Sequence, residues 1–142
     1  NERFDDASEL ITVRLDIDQK AHELLVIRRP ELLHPVETVL DNAVQFAVNN
    51  VHVTIQYDDN FLMIVIDDDG PGFQSSVLAK LGNPYNSSRA GSDGHMGLGV
   101  FIATTMVEQV GGKVLLENRK QGGASVKITY PRGSIESKNT AS

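Results

Sequence analysis

Three short segments carry residue types that could hold a phosphorylated ligand. Asp68-x-Gly70-x-Gly72 follows an apolar run, Gly97-Leu98-Gly99-Val100 opens a second apolar segment, and Asn42 stands among the apolar positions of a third. Glycines at a helix start allow close backbone approach, and the free N–H groups there attract anions, so Gly97 and Gly99 could cradle phosphates. A tight loop-to-helix turn would use the same residues. A carboxylate at the end of a buried strand, as at Asp68, can accept a hydrogen bond from an exocyclic amine such as that of adenine; plain turn chemistry suits the flanking Asp67 and Asp69 better. The Asn42 amide needs a partner or a polar cavity if it is buried, and neither if it lies at a helix margin.

The elements around these segments follow from hydrophobic periodicity. Alternation over Leu10 to Ile17 predicts a half-buried strand, and the compact apolar run in Glu23 to Arg28 a second. Pro30 suits a first helical turn. Leu32, Leu33, Val36, Val39, Leu40, Ala43, Val44 and Ala47 then recur at spacings of three and four, so Pro30 to about Val48 reads as a long amphipathic helix. Val51 to Tyr57 and Phe61 to Ile66 read as a hairpin turned at Asp58-Asp59-Asn60, its second strand buried on both faces. Val77 to Leu81 suits a short helix. Gly82 to Met96 is a long irregular stretch, and such loops are usually functional or disordered. Gly97 to Val110 reads as a second long helix ending at Gly111-Gly112, and Val114 to Glu117 with Ala124 to Tyr130 as a closing pair of strands. The expected fold is α+β: a two-layer sandwich with a mixed, mostly antiparallel sheet of about five strands and about three helices on one face.

Composition narrows the function classes. The 142 residues suit one domain that can bury a core unaided. Cysteine is absent, which excludes a disulfide scaffold, a thiolate metal site and a cysteine nucleophile. No two of the histidines have useful metal-ligand spacing. The net charge of −6 is a poor footing for nucleic-acid binding. The longest apolar run, Phe61 to Ile66, falls far short of a membrane span. Residues 1–9 read as an N-terminal tether, 10–132 as the folded domain and 133–142 as a flexible tail. A start at Asn1 rather than methionine suggests a piece of a longer protein.

In combination the segments are more specific than singly. Leu40-Asp41-Asn42-Ala43, then Val65-Ile66-Asp67-Asp68-Asp69-Gly70-Pro71-Gly72-Phe73, then a long loop, then Gly97-Leu98-Gly99-Val100-Phe101-Ile102-Ala103 resembles the ATP-binding catalytic domain of sensor histidine kinases, in the GHKL superfamily. The resemblance covers about Leu10 to Arg132. More narrowly, Arg29-Pro30-Glu31-Leu32-Leu33-His34, Leu81-Gly82-Asn83-Pro84-Tyr85 and Gly122-Gly123-Ala124 look like the redox-responsive RegB/PrrB type. The resemblance implies the Bergerat-type ATP-binding fold, with Asn42 in the N box, Asp68 to Gly72 in the G1 box and Gly97 to Gly99 in the G2 box. It implies that Asp68 binds the adenine amine, that Gly70 and Gly72 let backbone approach the base, with Phe73 beside them, and that Asn42 reaches Mg²⁺. It further implies that Gly97, Leu98 and Gly99 hold phosphates and that residues 82–96 form a lid, in which Arg89 is a candidate phosphate contact. Phe46, one turn beyond Asn42, would pack on the base or sugar, or else simply in the core.

By the same resemblance, the chain would donate the γ-phosphate of ATP to a histidine on a separate dimerisation hairpin, for later passage to a response regulator. It would touch neither nucleic acid nor membrane. It would work in the cytoplasm, within a kinase anchored in the inner membrane. No acceptor is read in this sequence: His22-Glu23 is followed by the strand-like Leu24-Leu25-Val26-Ile27, without the family's basic residue and proline. His34 and His52 read as surface or packing residues. Two departures stand out. Thr38 occupies a position where many relatives carry asparagine and where hydrolytic members and anti-sigma-type serine kinases carry a glutamate base. Glu37 lies about 140° around the helix from Asn42, against about 40° for Thr38, and so points to solvent. His95 replaces the usual first glycine of the G2 box. A non-catalytic nucleotide-binding regulatory module and an anti-sigma-type serine kinase are the alternative readings.

Overall fold

A computed structural model of the chain describes residues 10–81 and 95–135. The elements run β1 (Thr12–Ile17), α1 (Gln19–Glu23), a π-helical turn (Leu24–Arg28), a 3-10 turn (Pro30–Leu32), α2 (Leu33–Phe46), β2 (Asn50–Tyr57), β3 (Phe61–Asp68), α3 (Ser75–Leu81), α4 (His95–Gln109), β4 (Lys113–Asn118) and β5 (Ala124–Pro131). The strands form one five-stranded sheet in the order β1-β2-β3-β5-β4. Only β1 and β2 are parallel. The expected mixed, mostly antiparallel α+β sheet is therefore present.

Period-two alternation sets the core. Val51, Val53 and Ile55 of β2, Leu62, Ile64 and Ile66 of β3, and Val126, Ile128 and Tyr130 of β5 share one face and are all buried. That face is covered by α2 and α4, which also pack against each other. α2 contributes Val36, Val39 and Ala43, and α4 contributes Val100, Ala103 and Val107, each set at helical spacing. No described helix or strand covers the opposite face of the sheet. Met63, Val65 and Asp67 are only half-buried, so the expectation that β3 is buried on both faces does not hold.

The strand expected over Glu23 to Arg28 is helical instead. Ala21, Leu24 and Leu25 are buried at helical spacing, whereas Val26 and Ile27 are 47% and 70% exposed. A four-residue apolar run cannot be told from a buried helical turn by periodicity alone. The start signal is Asp18, whose carboxylate accepts from the N–H groups of Lys20 (3.1 Å) and Ala21 (3.3 Å). His22 is exposed on this helix. The strand character held against it as an acceptor is gone, while the missing basic residue and proline remain.

The C-terminal tail also needs correction at its start. Residues 132–135 are helical and Ile135 is buried. The buried guanidinium of Arg29 holds them: Nε pairs with Glu31 at 2.5 Å, and Nη1 donates to the Ile135 carbonyl at 2.6 Å. A buried charge with a carboxylate and a carbonyl around it is satisfied, which explains why a polar-looking tail begins on an ordered turn.

Candidate functional site

Asp68 ends β3, and the strand's period turns its side chain toward the helical layer, where it is 5% exposed. Its Oδ1 accepts from the N–H of Gly70 at 2.8 Å and of Ala124 at 3.3 Å. Among the described residues no group donates to Oδ2. Burial raises the pKa of this carboxyl above its ordinary value, outweighing the hydrogen bonds from Gly70 and Ala124 and the nearby Arg119, while the charge of Asp69 pushes the same way. The site thus holds a buried carboxylate with one oxygen open, a group that gains from an incoming N–H donor.

The backbone around Asp68 is set by two close approaches. Gly123 has φ +102°, and a Cβ there would lie 1.9 Å from the Asp68 carbonyl oxygen. A Cβ at Gly70 would lie 2.3 Å from the Phe46 carbonyl oxygen. The Asp68–Gly72 loop therefore seats directly against the C-terminal end of α2, and the glycine at 70 is already required by that contact. Asn42 lies one turn back on α2, half-buried, with its Oδ1 3.8 Å from the position a Cβ would take on Gly99. Gly99, in α4, and the Asn42 amide are thus brought together. Phe46 is partly buried against the core, and Phe73 is buried within it. Both aromatic side chains have packing roles independent of any ligand.

Thr38 Oγ1 donates back to the His34 carbonyl at 3.2 Å, and Glu37 is exposed. Neither offers a base beside Asn42. Arg89 and residues 82–94 of the lid expected over 82–96 lie outside the described residues; His95 and Met96 belong to α4.

Sequence reasoning missed the supports of this site. Asn118 at the end of β4 clamps the Phe73 backbone, its Oδ1 accepting from Phe73 N–H at 2.7 Å and its Nδ2 donating to the Phe73 carbonyl at 2.9 Å. Arg119 donates through Nη1 to the Asp68 carbonyl at 2.7 Å. The β4–β5 turn folds onto it, with Arg119 N–H donating to the Gly123 carbonyl at 2.8 Å. Asp69 accepts from the N–H groups of Val48, Asn49 and Asn50 at 2.9–3.2 Å, tying the α2–β2 connection to the loop. Burial pushes the Asp69 pKa up, but these hydrogen bonds outweigh it and hold the carboxyl below its ordinary value. The sequence signal closest to these roles is the Gly122-Gly123 pair, which suits a tight turn between the closing strands and does not name what that turn faces.

Among known proteins, the chain matches the family described as "Histidine kinase-, DNA gyrase B-, and HSP90-like ATPase" over residues 28–134. It is 34% identical to the sensor histidine kinase RegB of Cereibacter sphaeroides, across 75% of this chain and 27% of that protein. It is 31% identical to the sensor protein kinase CarS of Pseudomonas aeruginosa, across 72% of this chain and 23% of that protein. The chain thus spans about a quarter of the length of these relatives. In fold it is similar to the catalytic domain of histidine kinase ThkA, with a TM-score of 0.66 at 20% identity, covering 87% of this chain and 82% of that one. It is also similar to full-length ShkA in complex with AMPPNP, with a TM-score of 0.64 at 22% identity, covering 87% of this chain and 26% of that one. On the match across most of its length, the chain belongs to the histidine kinase-, DNA gyrase B- and HSP90-like ATPase family.

Proposed function

We propose that this chain is the ATP-binding catalytic part of a sensor histidine kinase of the RegB-like kind, and that it delivers the γ-phosphate of ATP to a histidine on a dimerisation hairpin, for passage to a response regulator. The observation that carries this reading is the open, buried Oδ2 of Asp68, which suits the exocyclic amine of adenine. Asn42 and the start of α4 converge beside the same loop, where a triphosphate would lie. ShkA, of similar fold, was solved with AMPPNP, an ATP analogue.

Mg²⁺ would neutralise the triphosphate, and the Asn42 amide oxygen would be its side-chain contact. Among the described residues there is no cluster of three or more carboxylates and histidines for a metal. The ion would be held largely by phosphate oxygens, as Mg²⁺ usually is in such sites. Glu37 faces solvent and Thr38 bonds to its own helix, so neither position on α2 would supply a base to a water or hydroxyl nucleophile. This favours transfer to a histidine nitrogen, where positioning and charge neutralisation do most of the work, over ATP hydrolysis or serine phosphorylation. No described helix is long and apolar enough to cross a membrane. Placement at the cytoplasmic side of an inner-membrane kinase remains part of the proposal.

Calorimetry with ATP and Mg²⁺ should show stoichiometric binding, and no binding would sink the reading. Mixing the chain with the hairpin of a RegB-type kinase and labelled ATP should place label on the hairpin histidine. Binding without label would leave a non-catalytic nucleotide module. Label on a serine of a partner would point to the anti-sigma type.

A further inference from the structure

We infer that the chain self-associates edge to edge, β1 pairing antiparallel with the β1 of a second copy. β1 has β2 on one side and no described strand on the other. The N–H of Thr12 donates to the Asn49 carbonyl at 2.8 Å, and that of Asp18 to the Ile55 carbonyl at 2.9 Å. In a parallel ladder, alternate residues direct both N–H and C=O to the same neighbour. The backbone groups of Val13, Leu15 and Ile17 therefore point out of the open edge, a template for another strand.

The same residues carry unfinished apolar surface. Val13 and Leu15 share a face with their register partners Val51 and Val53. Those partners are 1% and 2% exposed, whereas Val13 and Leu15 are 39% and 58% exposed. Of the residues on this face of β1, Ile17 packs partly against the core, and Val13 and Leu15 are left out of it.

Charge separates one register from its immediate neighbours. Outward-facing residues must oppose outward-facing residues for the ladder to close. Centred on Leu15, the pairing sets Leu15 against Leu15, Val13 against Ile17 and, on the opposite face, Arg14 against Asp16 twice. One step in either direction centres the pair on Arg14 or on Asp16 and places like charges opposite each other, which is destabilising. Arg14 and Asp16 are both exposed. They guard the edge in the neighbouring registers and become two symmetry-related ion pairs in this one. The result is an isologous two-fold dimer with one continuous sheet. A single short strand edge covers less area than a standard interface, so the dissociation constant should lie at roughly 10–500 μM.

Sedimentation velocity of the full chain should show a monomer-to-dimer shift across that range. Arg14→Asp alone, or Asp16→Arg alone, should weaken association at least about tenfold. An equimolar mixture of the two variants should form a heterodimer, since every cross-strand pair is then complementary again, and the double variant should also recover. A wild type monomeric at millimolar concentration, a dimer indifferent to the single reversals, or a mixture that does not recover would each overturn the proposal. In the wild type, slower amide exchange at Val13, Leu15 and Ile17 with rising concentration is required as well, and this check does not depend on the variants folding.

Discussion

Aspartates stand at both ends of β3, and both accept backbone N–H groups, yet their surroundings push them in opposite directions. Asp58, in the turn before the strand, accepts from Asn60 and Phe61 through one oxygen at 2.8 Å each, in water. Those hydrogen bonds hold its pKa below the ordinary value. Asp68, at the far end, has two such bonds as well, and burial overrides them. A carboxylate that is exposed and bonded to its own turn needs nothing more. One that is buried with an oxygen open weakens the fold until something donates to it. The same residue type at two ends of one strand thus separates a structural turn from a binding site.

The largest effect that sharpens this contrast should come from the backbone that holds Asp68 in place. Gly123→Ala forces a Cβ at φ +102° against the Asp68 carbonyl oxygen. It should cost about 3 kcal/mol of stability, combining backbone strain with overpacking. Gly122, at φ +106°, has nothing within 4 Å of its would-be Cβ and should cost less on substitution by alanine. Urea unfolding of both variants checks this. Equal costs would mean that the clash at Asp68 is not what holds the turn.

Next is Asp68→Asn. It keeps an acceptor for the internal N–H groups but puts a donor where the amine would donate. ATP affinity should fall about thirtyfold, the equivalent of about 2 kcal/mol for a lost hydrogen bond to a charged group. Stability at neutral pH should hold or rise, because a buried charge has been removed. Calorimetry and thermal unfolding together test the pair. Unchanged affinity, or a joint loss of affinity and stability, would make Asp68 a structural residue like Asp58.

Much of this contrast was legible beforehand, and the illegible part has a physical cause. The alternation in β2, β3 and β5 marked the core face because a strand's period depends only on local geometry. Asp68, Gly70 and Gly72 were visible as a compact motif after a strand, and Asn42 by helical spacing from its apolar neighbours. Asn118 and Arg119 were invisible because their partners, Phe73 and Asp68, lie across the sheet and far away in sequence. Leu24 to Arg28 misled because four apolar residues fit either period, and only the Asp18 cap decides between them. The open edge of β1 left no mark either, since alternation says which residues share a face and not whether anything covers it.

A smaller effect separates Asp68 from its own neighbour. Asp69→Ala leaves the N–H groups of Val48, Asn49 and Asn50 to water. It should cost about 1 kcal/mol, as loss of a helix cap does. ATP affinity should change less than threefold, because the Asp69 carboxylate is spent on the α2–β2 connection. A larger loss of binding than of stability would place Asp69 in the site.

The finest test is the pH dependence of stability. For Asp69 the folded-state pKa is lowered, so its contribution is full above the unfolded value, near 3.9, and is lost as pH falls through the folded value. For Asp68 the folded-state pKa is raised, so the folded state binds the extra proton. Wild-type stability relative to Asp68→Asn should therefore fall as pH rises from the unfolded value through the folded one. Between about pH 3 and pH 7, the stability of wild type minus that of Asp69→Asn should rise with pH, while that of wild type minus that of Asp68→Asn should fall. Urea unfolding of the three proteins across that range reads both slopes directly. Slopes of the same sign would mean that burial does not dominate at Asp68, and would remove the distinction between adjacent carboxylates on which the site assignment rests.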